Sequence, residues 1–433
     1  MASPDLFRRL LGKELRELAA SRAYWLLLLM IGPLVGHAFI TAVDSYAEVN
    51  AGALAQGLSP LDGILVPTLG AYDIAVTLLF PFVAIRLISS EKESGALKLI
   101  LQMPAGLGTI VAAKAMALLI GWLVAWIPGL ISLALWKLYG GSLYAPEVLN
   151  LLLGHLLRVI LSSGVAVAAA AVARNAASAA IATLGFTVGT WALEFVAEGR
   201  GGWLHTLAQF TPTAALRVFE QGELQASTVL VMLLLGIAGF VIAAVWLPAR
   251  RPRSRAFLSA GVLAIFIAAA WASSLLRASV DLSENRRNSF SKPEESALKQ
   301  IHQPLRVTAY LAAEDPRRMD LDRNILSKLQ RILPVVEIDY TARGRSGLFG
   351  GDHYGEVWYA IDGRSVMTRS TTEPIVLDTL YQLAKIPPPS STDQDTYRGH
   401  PLSARPIAAA WIYYCFWPLV VVSTALLDFR RRS

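Results

Sequence analysis

Cysteine is nearly absent from this 433-residue chain: the one present, Cys415, lies inside an apolar run. An intrachain disulfide is therefore excluded, and any part exposed to an oxidising compartment must fold on packing alone. Charge is scarce as well, at 16% against 54% hydrophobic residues, with a mean hydropathy of +0.48. That balance excludes an ordinary soluble protein of this size. No G-x-x-x-x-G-K-[ST] occurs; Lys13 follows Gly12 but lacks the upstream glycine and the hydroxyl residue, so the chain carries no nucleotide-hydrolysing P-loop. There is no G-x-S-x-G and no H-E-x-x-H, and the six histidines are scattered with no i,i+3 or i,i+4 pair. Catalysis and a histidine metal site thus have no convergent residue set to stand on.

What is present is a series of apolar runs near the ~20 residues that cross a bilayer. Spans are predicted at 23–43, 71–89, 108–137 (tilted or broken at Pro128–Gly129), 148–172, 177–196, 228–248, 256–276 and 406–427. The fold class is a polytopic α-helical membrane protein of about eight transmembrane helices, with an extracytoplasmic α/β domain inserted before the last. The net charge of +7 does not point to nucleic acid, because the basic residues flank apolar runs. With both termini in the cytoplasm, the inner segments carry Arg8, Arg9, Lys13, Arg16 and Arg22; Lys92 and Lys98; Arg174; Arg250, Arg251, Arg253 and Arg255; and Arg430, Arg431 and Arg432. The outer loops 44–70 and 138–147 carry no Lys or Arg, and 197–227 carries only Arg200 and Arg217. This is a positive-inside pattern. Residues 277–405 then lie outside, their 18 basic and 17 acidic residues nearly balanced.

Residues 1–22 form an amphipathic helix that lies in the interface plane: Leu6, Phe7, Leu10, Leu11, Leu15 and Leu18 oppose Arg8, Arg9, Lys13, Glu14, Arg16 and Glu17. Behind it the apolar segment has no small-residue cleavage site and is read as retained. The loop at 90–107 has more structure than a plain turn needs. It holds Glu91, Lys92 and Glu93, then Ser94-Gly95, an apolar pattern from Leu97 to Leu101, and Pro104. An apolar helical face outside the membrane needs a lipid or protein cover, and a partner is the favoured reading. In the fourth span His155 and Arg158 lie three residues apart. Either they line a polar path through the bundle, or they sit near the outer end and snorkel to the interface. Asp73 and Glu194 read as markers of outer span ends, and Trp122, Trp126 and Trp136 as packing or interface aromatics.

In the insert, Ser291-Lys-Pro-Glu294 is a capping box. Strands are predicted at 305–311, 335–340, 356–361 and 364–369, the last two joined through Asp362-Gly363, with helices at 321–333 and 373–385. A Pro/Ser-rich tether, 387–405, leads to the last span.

Several of these features together resemble the membrane subunits of type-2 ABC exporters. The carrying residues are Glu91 and Glu93, Ser94-Gly95, Leu97 to Leu101, Pro104, and Lys114 at the start of the third span. Lys13-Glu14 before Tyr24-Trp25 resembles the elbow helix of that family, and 197–227 its outer re-entrant loop; Gly95-Ala96 stands where the family usually has Gly-Thr. The insert, from Asp281-Leu-Ser through Pro304-Leu-Arg-Val-Thr-Ala-Tyr-Leu311, is similar to a shortened outer domain of the gliding-motility-type ABC auxiliary proteins. The resemblance implies a six-helix permease core at 23–250, a seventh helix at 251–276, an outer domain at 277–386 and an eighth helix with a basic tail at 406–433. It implies an exporter subunit of the inner (cytoplasmic) membrane. That subunit pairs with a second permease subunit, itself or a relative, and couples through 90–107 to a dimer of separate ABC ATPase subunits that bind ATP and Mg. No cofactor is expected in this chain. Membrane lipid surrounds it, and an envelope protein is a candidate partner of the outer domain. The alternative is a non-transporting module that relays ATPase strokes to an extracytoplasmic partner.

Overall fold

The computed structural model describes residues 4–51, 58–197, 203–208, 210–248, 251–276, 278–312, 315–341, 353–389, 397, 399–402 and 404–432. Arg200, Arg250 and most of the expected tether, 390–396, lie outside the described residues. The chain divides into two units: Met1–Ala192 with Thr211–Ala278 and Tyr397–Ser433, and Leu193–Phe210 with Ser279–Thr396.

Among the described residues, eight helices are long and apolar enough to cross a membrane. The elbow helix α1 (Pro4–Ala20) turns at Ser21 into α2 (Arg22–Ala51). The second span, α3 (Leu61–Ser94), is far longer than the predicted 71–89. Ser59, Pro60, Asp62 and Gly63 dilute the hydropathy at its start, yet Ser59 Oγ accepts the Asp62 backbone N–H and Tyr46 packs over Gly63. Two π-helical turns, Leu61–Leu65 and Ala75–Leu79, interrupt its ladder. A short helix α4 (Ala96–Ile100) follows, then α5 (Leu107–Leu138), broken near Trp126. The remaining spans are α6 (Ala145–Val172), α7 (Ala176–Ala197), α10 (Ala226–Trp246), α11 (Pro252–Ser274) and α15 (Ile407–Arg430). Between α7 and α10 lie two short helices, α8 (Trp203–Ala208) and α9 (Pro212–Glu220).

One apolar core joins α2, α3, α5 and α6, with Leu27, Ile31, Leu69, Phe80, Trp122 and Val159 fully buried. Phe80 and Tyr72 meet the Trp122 ring edge-on at 4.9 and 5.6 Å, so Trp122 and the equally buried Trp136 pack in the interior. The last span packs against α2 through two small residues: Tyr413 fills the space at Gly36, and Trp417 that at Gly32, where its Nε1 donates to Leu28 O at 2.7 Å.

The second unit is α/β. The capping box at Ser291 and Glu294 opens α12 (Lys292–Leu298). Strands β1 (Leu305–Ala309), β2 (Val336–Tyr340), β3 (Val357–Ile361) and β4 (Arg364–Thr368) form one sheet in the order β2-β1-β3-β4. β1 pairs β2 in parallel and β3 antiparallel, and β3 pairs β4 antiparallel. Asp362 and Gly363 both have positive φ, 51° and 74°, as a two-residue I′ hairpin requires. The helical crossover from β1 to β2, α13, covers 316–332 and starts earlier than the predicted 321. Asp315 caps it by accepting the Arg317 N–H, and Pro316 takes the first position, where its missing donor is harmless. With α14 (Glu373–Ala384), α13 covers an apolar layer that includes Val307, Leu326, Leu329, Tyr359 and Leu380.

Candidate functional site

The hairpin at 90–107 is built by local chain chemistry. α3 ends at Ser94 because Gly95 adopts φ 76°, a left-handed conformation that suits glycine, and its N–H returns to Lys92 O. α4 then runs for a little over one turn, and Gly106 in an extended conformation opens α5.

The apolar face of α4 is covered from within the chain. Leu10 of α1 is buried with Ile100, Ile110 and Ala113, and Leu6, Phe7, Leu101, Met103 and Ala105 pack around them. Leu97 is buried in the main core. The expectation that Leu97 and Leu101 await an outside cover is therefore corrected: the elbow helix and the bundle supply it. Glu93, Ser94, Lys98, Leu99, Gln102 and Pro104 remain exposed, Leu99 at 68%.

Beneath the hairpin lies a buried charge lattice. Glu91 is only 2% exposed and turns inward. Lys114, fully buried two turns into α5, sits 2.9 Å from both oxygens of Glu14 and 2.8 Å from Glu91 Oε1, and donates to Leu87 O at 3.0 Å. Lys13 pairs with Glu91, with Glu14 at 3.1 Å and with Glu17 at 3.0 Å. Burial alone would lower the Lys13 pKa; the hydrogen bond to Glu91 and the charges of Glu14 and Glu91 outweigh it and raise it. Burial raises the pKa of Glu14, and the charge of Glu91 adds to this, while Lys114 and Lys13 pull the other way. Carboxylate oxygens of Glu14, Glu17 and Glu91 lie within 4.8 Å of one another, close enough to share a cation; the two ammonium groups stand among them. Leaving one member of such a lattice unpaired costs about 3–5 kcal/mol, so α1, α3 and α5 are locked together at this end.

Lys92 points elsewhere. Its Nζ donates to Ala170 O and Ala171 O at 2.6 Å each and to Ala173 O at 3.0 Å. It thus satisfies carbonyls left open at the C-terminus of α6. Ser94 Oγ donates to Ser90 O at 2.8 Å, within its own helix.

A second polar cluster occupies the middle of the bundle. Arg158 lies near the centre of α6 and is buried. Its Nε is 3.1 Å from Asp73 Oδ1 in an ion pair whose angle makes no hydrogen bond, and its Nη atoms reach Thr77 and Thr213 at 3.3 Å. Asp73 is therefore not the outer-end marker expected from the sequence: α3 extends twelve residues before it. These partners hold the Arg158 guanidinium between α3, α6 and α9. His155 is buried beside the pair, 4.0 Å from Asp73 Oδ1, with neither ring nitrogen hydrogen-bonded. The π turn at Ala75–Leu79 adjoins this cluster, and such turns are frequent at functional sites. Thr213 comes from α9, whose buried Phe219 packs at Gly154 of α6.

Sequence reasoning missed the mutual contact of Glu14, Glu91 and Lys114. Glu14 and Lys114 are 100 residues apart, and no periodicity links them. The signal present was a charged residue, Lys114, inside an otherwise apolar span, which demands a partner.

Residues 8–251 match the family model described as "ABC-2 family transporter protein". No curated protein and no solved structure matches the chain.

Proposed function

Because this chain belongs to the ABC-2 transporter family, and so is a membrane component of an ABC transporter rather than its ATPase, we propose that it forms the pathway of an exporter. In this reading it lies in the inner membrane with both termini in the cytoplasm. A separate ATPase pair docks on the hairpin at 90–107, and a second permease subunit completes the pathway. The observation that carries the proposal is the bracing of the hairpin. Its exposed tip (Glu93, Lys98, Leu99, Gln102) stands on the Glu14–Glu91–Lys114 lattice and is tied through Lys92 to α6. A push at the tip therefore moves α1, α3, α5 and α6 as packed elements, the rigid-body mode of switching. α6 carries Arg158 and His155, which with Asp73 give the bundle a polar interior where a pathway would need one.

The test separates tip from lattice. Glu93→Lys with Leu99→Asp is expected to abolish co-purification of the ATPase while thermal stability stays unchanged. Glu91→Gln is expected to lower the melting temperature of the permease alone, as loss of about 3–5 kcal/mol of buried pairing predicts. Undiminished ATPase binding by the tip variant would refute the docking assignment.

The relay reading keeps one specific support. The last span, which follows the α/β unit in the chain, packs tightly on α2 at Gly32 and Gly36, and α2 directly follows the elbow helix. Gly32→Leu would displace Trp417. Retained export with the last span so displaced would weigh against relay.

A further inference from the structure

A cavity of about 430 Å³ opens beside the hairpin, at the ends of the spans. Lys92, Lys98, Arg174 and Arg255 line it, and no Asp or Glu does; Leu97, Leu101, Val172, Trp246 and Leu247 form its apolar wall. The ammonium of Lys92 is committed to three carbonyls, so it contributes charge but no free donor. Lys98 and Arg174 are exposed, and among the described residues no carboxylate pairs with either of them or with Arg255. Arg255 is held in place: Nη2 donates to Pro248 O at 2.7 Å and the guanidinium lies 5.6 Å from the Trp246 ring centre. Its Nε is buried with no hydrogen-bond partner. An oriented guanidinium with an unused N–H, two free cations and an uncompensated charge together make an anion site.

We propose that this cavity binds the headgroup phosphate of an anionic phospholipid. The phosphate takes donors from Arg255, Arg174 and Lys98, and the acyl chains leave along the exposed Phe257 and Leu258 at the start of α11. A soluble anion matches the cations but leaves the apolar half of the wall unpartnered. A lipid at the membrane edge matches both halves, and basic pockets between spans are suited to such headgroups. The bound lipid bridges the hairpin (Gly95, Leu97, Lys98, Leu101) to the ends of α6 and α10, and so acts as a removable wedge beside the surface proposed for the ATPase. The inference rests on the transmembrane reading but needs no ATPase, so failure of ATPase docking leaves it standing.

The experiment is native mass spectrometry of the full-length permease, released from micelles that contain phosphatidylglycerol or phosphatidylcholine with the same chains. Phosphatidylglycerol is expected to be retained selectively. Lys98→Gln with Arg174→Gln changes two exposed side chains, so folding is not at risk. It is expected to weaken retention roughly 30-fold, as removal of two cations near a headgroup predicts. Arg9→Gln with Arg253→Gln, an equal charge loss outside the cavity, is expected to leave retention unchanged. Equal retention of the two lipids, or equal losses in the two double variants, overturns the proposal. Displacement of the lipid by millimolar inorganic phosphate would assign the cavity to a soluble anion and overturn the lipid assignment. If lipid retention ignores the Lys98/Arg174 variant while ATPase binding falls, the cavity belongs to the ATPase footprint and the proposal fails.

Discussion

Tyr72 shows how one side chain fixes a helix break. In an uninterrupted α5 the Gly129 N–H would donate to Ala125 O. Instead the Tyr72 hydroxyl stands between them, accepting from Gly129 N at 2.9 Å and donating to Ala125 O at 3.1 Å. This is insertion of a side chain into the helical ladder, next to Pro128, which cannot donate. Pro128 O in turn accepts the Tyr413 hydroxyl at 2.8 Å. Tyr72→Phe leaves a buried donor and a buried acceptor unpaired, and a loss of about 1–3 kcal/mol is expected, read as a lower melting temperature in detergent. The break itself was legible as Pro128–Gly129; the tyrosine that mends it, 57 residues away, was not. The same limit applies to Lys114: its burial cost was readable from the sequence, its partners were not.

At the scale of elements, small residues decide how closely helices approach. A Cβ on Gly164 of α6 would lie 2.2 Å from Gly236 O of α10, and one on Gly239 would lie 2.3 Å from Gly164 C. The two backbones are in contact there, as small residues permit between spans. Gly164→Ala must push α6 and α10 apart, and about 1–3 kcal/mol is expected to be lost. Gly185→Ala, where nothing stands within 4 Å, is the matched control and should leave the melting temperature unchanged. In the α/β unit, strands and hairpin were legible because alternation and Asp-Gly act locally. The early start of α13 was hidden because Asp315-Pro316 reads equally as a turn. That cap also titrates. The hydrogen bonds from Arg317 (2.7 Å) and Tyr354 (2.9 Å) hold Asp315 below the usual carboxylate range, and those from His353, Trp358 and Arg369 do the same for Glu356. A depressed folded value means that the unfolded chain takes up the proton first as pH falls. The stabilisation is therefore complete above the unfolded value, about pH 4, and is lost as pH drops through the folded value. Hydrogen exchange of β3 in the full-length protein, corrected for intrinsic rates, should show protection falling below about pH 4. Asp315→Asn should remove part of that dependence.

At the scale of the whole chain, cations gather at one set of span ends, the pattern that orients membrane proteins. With the spans as they stand, the short connections 50–60 and 139–144 carry no Lys or Arg. The opposite ends carry Arg8, Arg9, Arg16, Lys98, Arg174, Arg251 and Arg253. Longer spans than the sequence predicted leave this asymmetry intact, because the residues added at the start of α3 (61–70) contain no cation. Overall hydropathy and charge bias were thus readable without any knowledge of packing, whereas the burial of Glu91 depended on it. The asymmetry predicts that a fluorescent reporter inserted at Arg253, or fused after Ser433, is cytoplasmic, and that a phosphatase active only outside the cytoplasm works when placed at Ile386. Exchanging Arg250, Arg251, Arg253 and Arg255 for glutamine should weaken that orientation, since cations close to span ends set it. An inactive phosphatase at Ile386 together with a dark reporter at Arg253 would invert the chain, carry the hairpin at 90–107 to the far side, and remove it from the reach of any cytoplasmic ATPase.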